Sequence, residues 1–292
     1  MKKSFKSILA IMAMFAVVAT GCKDEETTDP KVDDAITLPS SFTKKVLIEE
    51  FTGAWCGWCV DGHLKVDNMM AANGSKIVPV MVHSGDGMQP AEYNSYYKPT
   101  FSVTGFPTGM INRVPGADTK VVQSRNVWEA MAATEMAKQA GLGLRIDASG
   151  TSGDNATVKV TVGFLEDVTA GCNLVIAILE DKVTGTGSQF DQKNFYANNS
   201  NYSSHPFFSR PATILGYEHK FVLRKIVSSA PAGEVIPADK TKKGSIYTAA
   251  DLSANLSTYN KANCYIAAWV HTPGGAVLNC QIAKVGENKS WD

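Results

Sequence analysis

Residues 46–60 read V-L-I-E-E-F-T-G-A-W-C-G-W-C-V, and this stretch constrains the chain more than any other. Its first half is a run of β-branched and aromatic residues, its middle holds a glycine turn, and its second half begins a helical pattern. The spacing predicts a strand over 46–50 and a helix from Cys56 to about residue 72, closed by Asn73 and Gly74. Cys56 and Cys59 therefore stand where strand gives way to helix. The positive end of a helix dipole and its unpaired N–H groups favour a thiolate at the first sulfur. The second cysteine, one turn on, can close a disulfide with it. C-x-x-C alone serves redox or metal chemistry, and a βα setting favours redox. A zinc site lacks its second half, because no further C-x-x-C and no H-x-x-x-H follow. Haem attachment needs His after the second cysteine, and Val60 is there instead. Neither G-x-S-x-G, nor a phosphate loop, nor H-E-x-x-H occurs.

The run F-T-G-A-W-C-G-W-C resembles the active-site segment of thioredoxin-like proteins, which share W-C-G-x-C, and Gly105-Phe106-Pro107-Thr108 is similar to a second motif of that superfamily. The resemblance implies a cis peptide bond at Pro107 packed against the cysteines. It also implies that Glu50, six residues before Cys56, is a buried acid that exchanges a proton with the resolving cysteine, Cys59. Trp58 departs from the pattern, which has proline there. The resemblance spans residues 44–140, with strands expected at 76–82 and 109–113, a short helix at 91–97 and a last helix at about 119–140. Pro79, inside the second of these strands, predicts a sheet edge. Gly62 inside the first helix predicts close packing against a neighbouring strand.

Before this region, Lys2, Lys3 and Lys6 precede a short apolar run at 8–18, too short for a membrane span. Ala19-Thr20-Gly21-Cys22 resembles a bacterial lipoprotein signal, which implies removal of residues 1–21 and acylation of Cys22. The following Lys23-Asp24-Glu25-Glu26 is similar to the acidic export tag of surface lipoproteins of Bacteroidetes, and reads equally as the start of a solvated linker. Residues 22–43 are expected to be a flexible tether. Removing the three lysines of the signal leaves 25 basic and 28 acidic residues, a net charge of −3, so nucleic acid is not an expected partner. Of six cysteines, Cys172, Cys264 and Cys280 remain unassigned, an odd number. Cys264 and Cys280 are expected as buried thiols with shared inward parity, diagonal across a hairpin.

At 292 residues two domains are expected. From residue 142 the apolar period changes to two, most clearly at 157–165, and T-P-G-G at 272–275 marks a hairpin between runs 264–271 and 276–285. About seven strands are counted, which predicts an immunoglobulin-like β-sandwich over 141–292 that folds independently. Residues 184–210 interrupt it as a long Asn- and Ser-rich loop carrying Phe190, Phe195, Tyr196, Tyr202, Phe207 and Phe208. Such a loop suits a partner, or covers the sandwich edge. His63, one helical turn past Cys59, could face it, though such a histidine more often reads as a solvated helix residue; His83 is considered for a Cys-Cys-His copper site but no metal site is assigned; His205, His219 and His271 show no ligand spacing.

As a whole the chain resembles a Bacteroidetes family of outer-membrane lipoproteins that join a thioredoxin-like domain to an immunoglobulin-like one, and the segment at 217–224 is similar to it as well. Two functions follow as expectations. One is thiol–disulfide exchange with protein substrates, without a cofactor, with Cys56 attacking, Cys59 resolving, and Glu50 and Pro107 beside them. The other is a surface binding or adhesion lipoprotein that uses the thioredoxin-like part as a scaffold. In both the membrane is reached through the lipid anchor.

Overall fold

A computed structural model describes residues 36–292. The signal segment, Cys22 and most of the expected tether lie outside the described residues. Strand β1 (Val46–Thr52) lies at the centre of a mixed sheet and is buried at all seven positions. Helix α1 (Cys59–Asn73) follows, then β2 (Ile77–His83), parallel to β1 with Ile48 opposite Pro79. A π-helical turn at residues 93–97 runs into α2 (Lys98–Phe101). Strand β3 (Thr108–Ile111) pairs antiparallel with β1, and β4 (Gln123–Ser124) with β3. Helix α3 (Trp128–Met136) completes this part.

The remaining strands begin with β5 (Leu142–Ser152), β6 (Asn155–Phe164), β7 (Asn173–Glu180), β8 (Gln192–Lys193), β9 (Thr213–Ile214) and β10 (Val222–Ile226). They continue with β11 (Glu234–Val235), β12 (Ile246–Thr248), β13 (Leu252–Asn255), β14 (Cys264–His271), β15 (Val277–Lys284) and β16 (Asn288–Lys289). The large sheet has the order β15-β14-β7-β10-β2-β1-β3-β4, with β11 beside β7. A five-stranded sheet has the order β12-β6-β5-β16, with β13 also on β6.

Period-two alternation explains the layers. Ile176 and Ile178 of β7 face Val158, Val160, Val162 and Phe164 of β6 across a core between the two sheets. Val175, Ala177 and Leu179 point the other way, into a core shared with Leu47, Phe51, Val78 and Val80 and roofed by Tyr93 and Tyr97. On β1, Val46 and Ile48 instead meet Val66 and Met69 of α1 and Trp128 and Ala132 of α3. Glu50 and Thr52 share that helix-facing parity, which places them behind α1.

The sheet does not stop at the expected boundary of 140/141. Strands β7, β10, β14 and β15 extend the ladder begun by β1 to β4, and one core takes side chains from both sides of the boundary. The guanidinium of Arg113 makes a bidentate pair with Glu49 at 2.7 Å and lies 5.6 Å from the Trp269 ring, tying the two parts together. Asn279 reaches the carbonyls of Thr43 and Leu142. Lys45 donates to Gln281 and pairs with Asp292.

Four expectations are corrected. Helix α1 opens at Cys59, not Cys56, because Cys56 accepts the Cys59 N–H in a turn that precedes the helix. Strand β2 is interior to the sheet; Pro79 is tolerated because β10 meets β2 only at Met81. The last helix is nine residues, not twenty-two: Gln123 donates to Asp118 and to the Lys120 carbonyl, closing a loop that ends in β4. Cys264 and Cys280 lie on opposite faces of the sheet, one in each core, with a register shift at Val270/His271 between their strands. Both, like Cys172, are buried free thiols.

Candidate functional site

Cys56 and Cys59 are joined as a disulfide with Cα atoms 5.4 Å apart. Cys59 is fully buried and Cys56 is 4% exposed. The preceding turn is tightly built. Gly53 accepts the Cys56 N–H at 3.0 Å, and a Cβ at Gly53 would stand 2.8 Å from the Ser84 carbonyl. Trp55 folds back over this turn, donates to the Ser84 carbonyl at 2.6 Å and meets Phe106 edge to face at 5.2 Å. The Phe106–Pro107 bond is cis, as the sequence motif led us to expect.

Glu50 lies behind helix α1. Gly62, three residues past Cys59 and so on the same side of α1, has no Cβ, and one added there would overlap the Glu50 carboxylate and stand 3.0 Å from Pro107 Cβ. Glycine at this position lets the acid and the cis proline approach the helix. Neither Glu50 oxygen has a hydrogen-bond partner, and the residue is fully buried. Burial pushes its carboxyl well above the ordinary value; Asp67 and Asp61 add to this and Arg125 opposes it.

Three histidines gather beside the acid. His63 is buried, not solvated: Nε2 lies 2.8 Å from Thr52 Oγ1 and 3.9 Å from Glu50 Oε1, while Nδ1 lies 3.0 Å from the Tyr217 hydroxyl. His83 and His219 pack with ring centroids 5.1 Å apart. His83 Nδ1 meets Asp86 at 2.7 Å, and His219 Nε2 donates to the Phe190 carbonyl at 2.8 Å. Burial raises the Asp86 carboxyl, but His83 and the N–H groups of Ala54 and Met88 outweigh it and hold it below the usual range. His63 is held well below the ordinary imidazole value by burial, then by His219, His83 and Lys220. Burial, with His83 beside it, lowers His219 to about 4. The ring nitrogens are mostly committed to these bonds, and among the described residues no group of three or more His, Cys, Asp or Glu is arranged to hold a metal ion.

The aromatic loop covers the cysteine turn rather than an edge of the second sheet. Lys193 donates its N–H to the Ala54 carbonyl at 2.7 Å, Phe195 to Gly57 at 3.0 Å, and Gln192 Nε2 to Cys56 at 2.9 Å. Trp58, at the position where the sequence departs from its motif, is ringed edge to face by Phe195, Tyr196 and Tyr202 at 5.1 to 5.5 Å. Gly57 must be glycine because an added Cβ would overlap the Phe195 ring. The strap is pinned to the start of α1: Arg125 pairs with Asp61 and donates to the Tyr196 hydroxyl at 3.2 Å, and His205 stacks on Tyr196 at 3.6 Å.

Of the expected site residues, Cys56 and Cys59 form one disulfide, and Glu50 and Pro107 both stand against Gly62, three residues past Cys59. Sequence reasoning missed Thr52, Tyr217, Gln192 and the aromatic strap beside these residues, and held the placing of His63 towards Cys59 only as the lesser reading. His63 carried a usable signal, four residues past Cys59 and hence on its helical face. Gln192 carried none, and Tyr217 only its place in the family-like segment at 217–224, since the tertiary fold alone brings them there.

HBP35 of Porphyromonas gingivalis superposes with a TM-score of 0.64 at 17% identity, over 85% of this chain and 77% of its own, which is a likeness of fold. A protein of Agrobacterium tumefaciens aligns at 13% identity over 86% of this chain and 98% of its own, with a TM-score of only 0.48. No curated protein matches by sequence. The family model for outer membrane protein Omp28 matches residues 94–289, and the chain belongs to that family of outer-membrane proteins. The matched span holds Pro107 and the strap and begins after the cysteine pair.

Proposed function

We propose that this outer-membrane protein carries out thiol–disulfide exchange with protein substrates, on a thioredoxin-like part (44–140) to which an immunoglobulin-like sandwich (141–292) is joined. The observation that carries the reading is the setting of the Cys56–Cys59 disulfide. It lies at a strand–helix junction, and Gly62, three residues past Cys59, stands close to cis Pro107 and to a buried carboxyl that has no hydrogen-bond partner. In the oxidising direction a substrate thiolate attacks Cys56 Sγ, the bond to Cys59 breaks, and Cys59 leaves as a thiolate that takes the proton of neutral Glu50. The second substrate thiolate then attacks the substrate sulfur of the mixed disulfide and expels Cys56. One substrate disulfide is formed and the protein is left as a dithiol. Run backwards, Cys56 attacks a substrate disulfide and Cys59 resolves it.

The test is catalysed oxidation of a reduced peptide dithiol by the disulfide form, and insulin reduction by the dithiol form. Glu50→Gln is expected to slow the step at Cys59 more than the step at Cys56. A protein inert in both assays sinks the exchange reading. The scaffold reading then replaces it, and one feature favours that reading: Cys56 is nearly covered while Phe195 and Tyr202 of the strap face solvent. Anchoring through acylated Cys22 is proposed as well, and the mass of the mature N-terminal peptide decides it.

A further inference from the structure

The exchange chemistry leaves a proton to be accounted for. In the exchange proposed above Cys59 removes a proton from Glu50 each time it departs, and Glu50 is fully buried with no hydrogen-bonded neighbour to restore it. A buried carboxylate left charged is costly, so turnover needs a route from solvent to this acid. The side chain nearest to providing one is His63, whose Nε2 is 3.9 Å from Glu50 Oε1. On its other side, Nδ1 is 3.0 Å from the hydroxyl of Tyr217. Tyr217 and His63 both line a small cleft with Asp67, Glu218 and Lys220, and Lys220 pairs with Asp67 at the exposed rim at 2.8 Å.

We propose that His63 is the proton-relay residue of the site: it passes a proton from Tyr217 and the cleft to Glu50 after Cys59 has been expelled, and returns it when Cys59 resolves. The inference rests on the exchange reading above. The transfers balance with solvent water as the only further reactant. Glu50 carboxylate takes the Nε2 proton of neutral His63, Nδ1 takes the Tyr217 hydroxyl proton it already faces, and water entering the cleft reprotonates Tyr217 and leaves as hydroxide. The Thr52 hydroxyl, 2.8 Å from Nε2 and on the same face of β1 as Glu50, fixes the ring between the two. Nε2 has to approach Glu50 Oε1 from 3.9 Å to hydrogen-bond distance, a movement of the order expected when a catalytic contact tightens.

The surroundings suit a neutral relay. His63 is faced by Glu50 from β1, His83 from β2, Asp67 from its own helix, and Tyr217, His219 and Lys220 from the segment before β10. Burial and the adjacent basic groups keep the imidazole unprotonated through neutral pH, so it holds one proton to give and one lone pair to receive.

The experiment follows reduction of the Cys56–Cys59 disulfide of the full chain by dithiothreitol, using the fluorescence of Trp55 and Trp58, across pH 6 to 9 in water and in deuterium oxide. The wild type is expected to show a solvent isotope effect. His63→Gln keeps an amide beside Thr52 but cannot relay, and is expected to react about tenfold more slowly, with the isotope effect lost. His63→Ala is expected to regain rate on addition of free imidazole, which a merely structural role would not give. A folded His63→Gln with wild-type rate and isotope effect overturns the relay. If that variant does not fold, Tyr217→Phe decides in the same way. A wild type that reacts with dithiothreitol but with no protein dithiol or disulfide overturns the exchange reading instead, and the two failures are separable.

Discussion

Glu50 and the lowered histidines His63 and His219 set opposite pH dependences on stability, and the sign of each follows from which state binds the proton more tightly. His63 and His219 are held below the ordinary imidazole value of about 6.5 in the folded chain. As pH falls below 6.5 the unfolded chain binds their protons first, so their contribution, fully present above that value, is lost towards the folded value of about 4 at His219. Glu50 is raised, so its contribution is fully present below the unfolded value of about 4.3 and is lost as pH climbs through its folded value. We expect Glu50→Gln to be more stable than the wild type at pH 7, with the gap closing towards pH 4. We expect His219→Asn to flatten the fall in stability between pH 6.5 and 4 by up to about 1.4 kcal/mol per pH unit. Urea denaturation across this range measures both. The burial of Glu50 was expected from the resemblance of its segment. Its isolation was not, because the partners it lacks are a property of the packed interior.

At the scale of elements, the strap and helix α1 decide what reaches the disulfide. The strand–turn–helix character of residues 46–73 was readable because its signals are local: β-branched residues, glycines at the turn, and a closing Asn-Gly pair. The helix start was misplaced by three residues because the cysteine turn mimics a first helical turn in composition. The aromatic loop was legible as unusual but not as a cover, since its contacts with Ala54, Cys56 and Gly57 span more than 130 residues of chain. Phe195 is half exposed and contributes little to either main core. Phe195→Ala should therefore leave the denaturation midpoint nearly unchanged, while alkylation of reduced Cys56 by iodoacetamide becomes several-fold faster. An unaltered alkylation rate would show that the strap does not limit access. Cys172, Cys264 and Cys280 are buried and, with thiols raised to between about 11 and about 12 by burial, stay silent in this assay.

For the whole molecule, period-two alternation revealed the strands after residue 142 but not that four of them extend the sheet of the first part. An apolar residue on an alternating strand tells which face is buried, not against which neighbour. Because Val175, Ala177, Leu179 and Trp269 share a core with Leu47, Phe51 and Val80, cutting the chain at 140/141 exposes that core on both fragments. It also leaves β10 as a bare edge where β2 had been. A fragment of residues 141–292 is accordingly expected to aggregate or to lack a cooperative thermal transition, whereas residues 38–292 unfold as one unit; light scattering and calorimetry distinguish these outcomes. The placement of the strap has a further meaning for the life of the chain before it is folded. Synthesis runs from the N-terminus, and Gln192 follows Cys56 by 136 residues. Throughout that interval the two thiols exist without their cover, open to any oxidant or foreign cysteine in the compartment they enter. The finished fold nearly covers this disulfide, so the bond is most open to being made or corrected while the molecule is still incomplete.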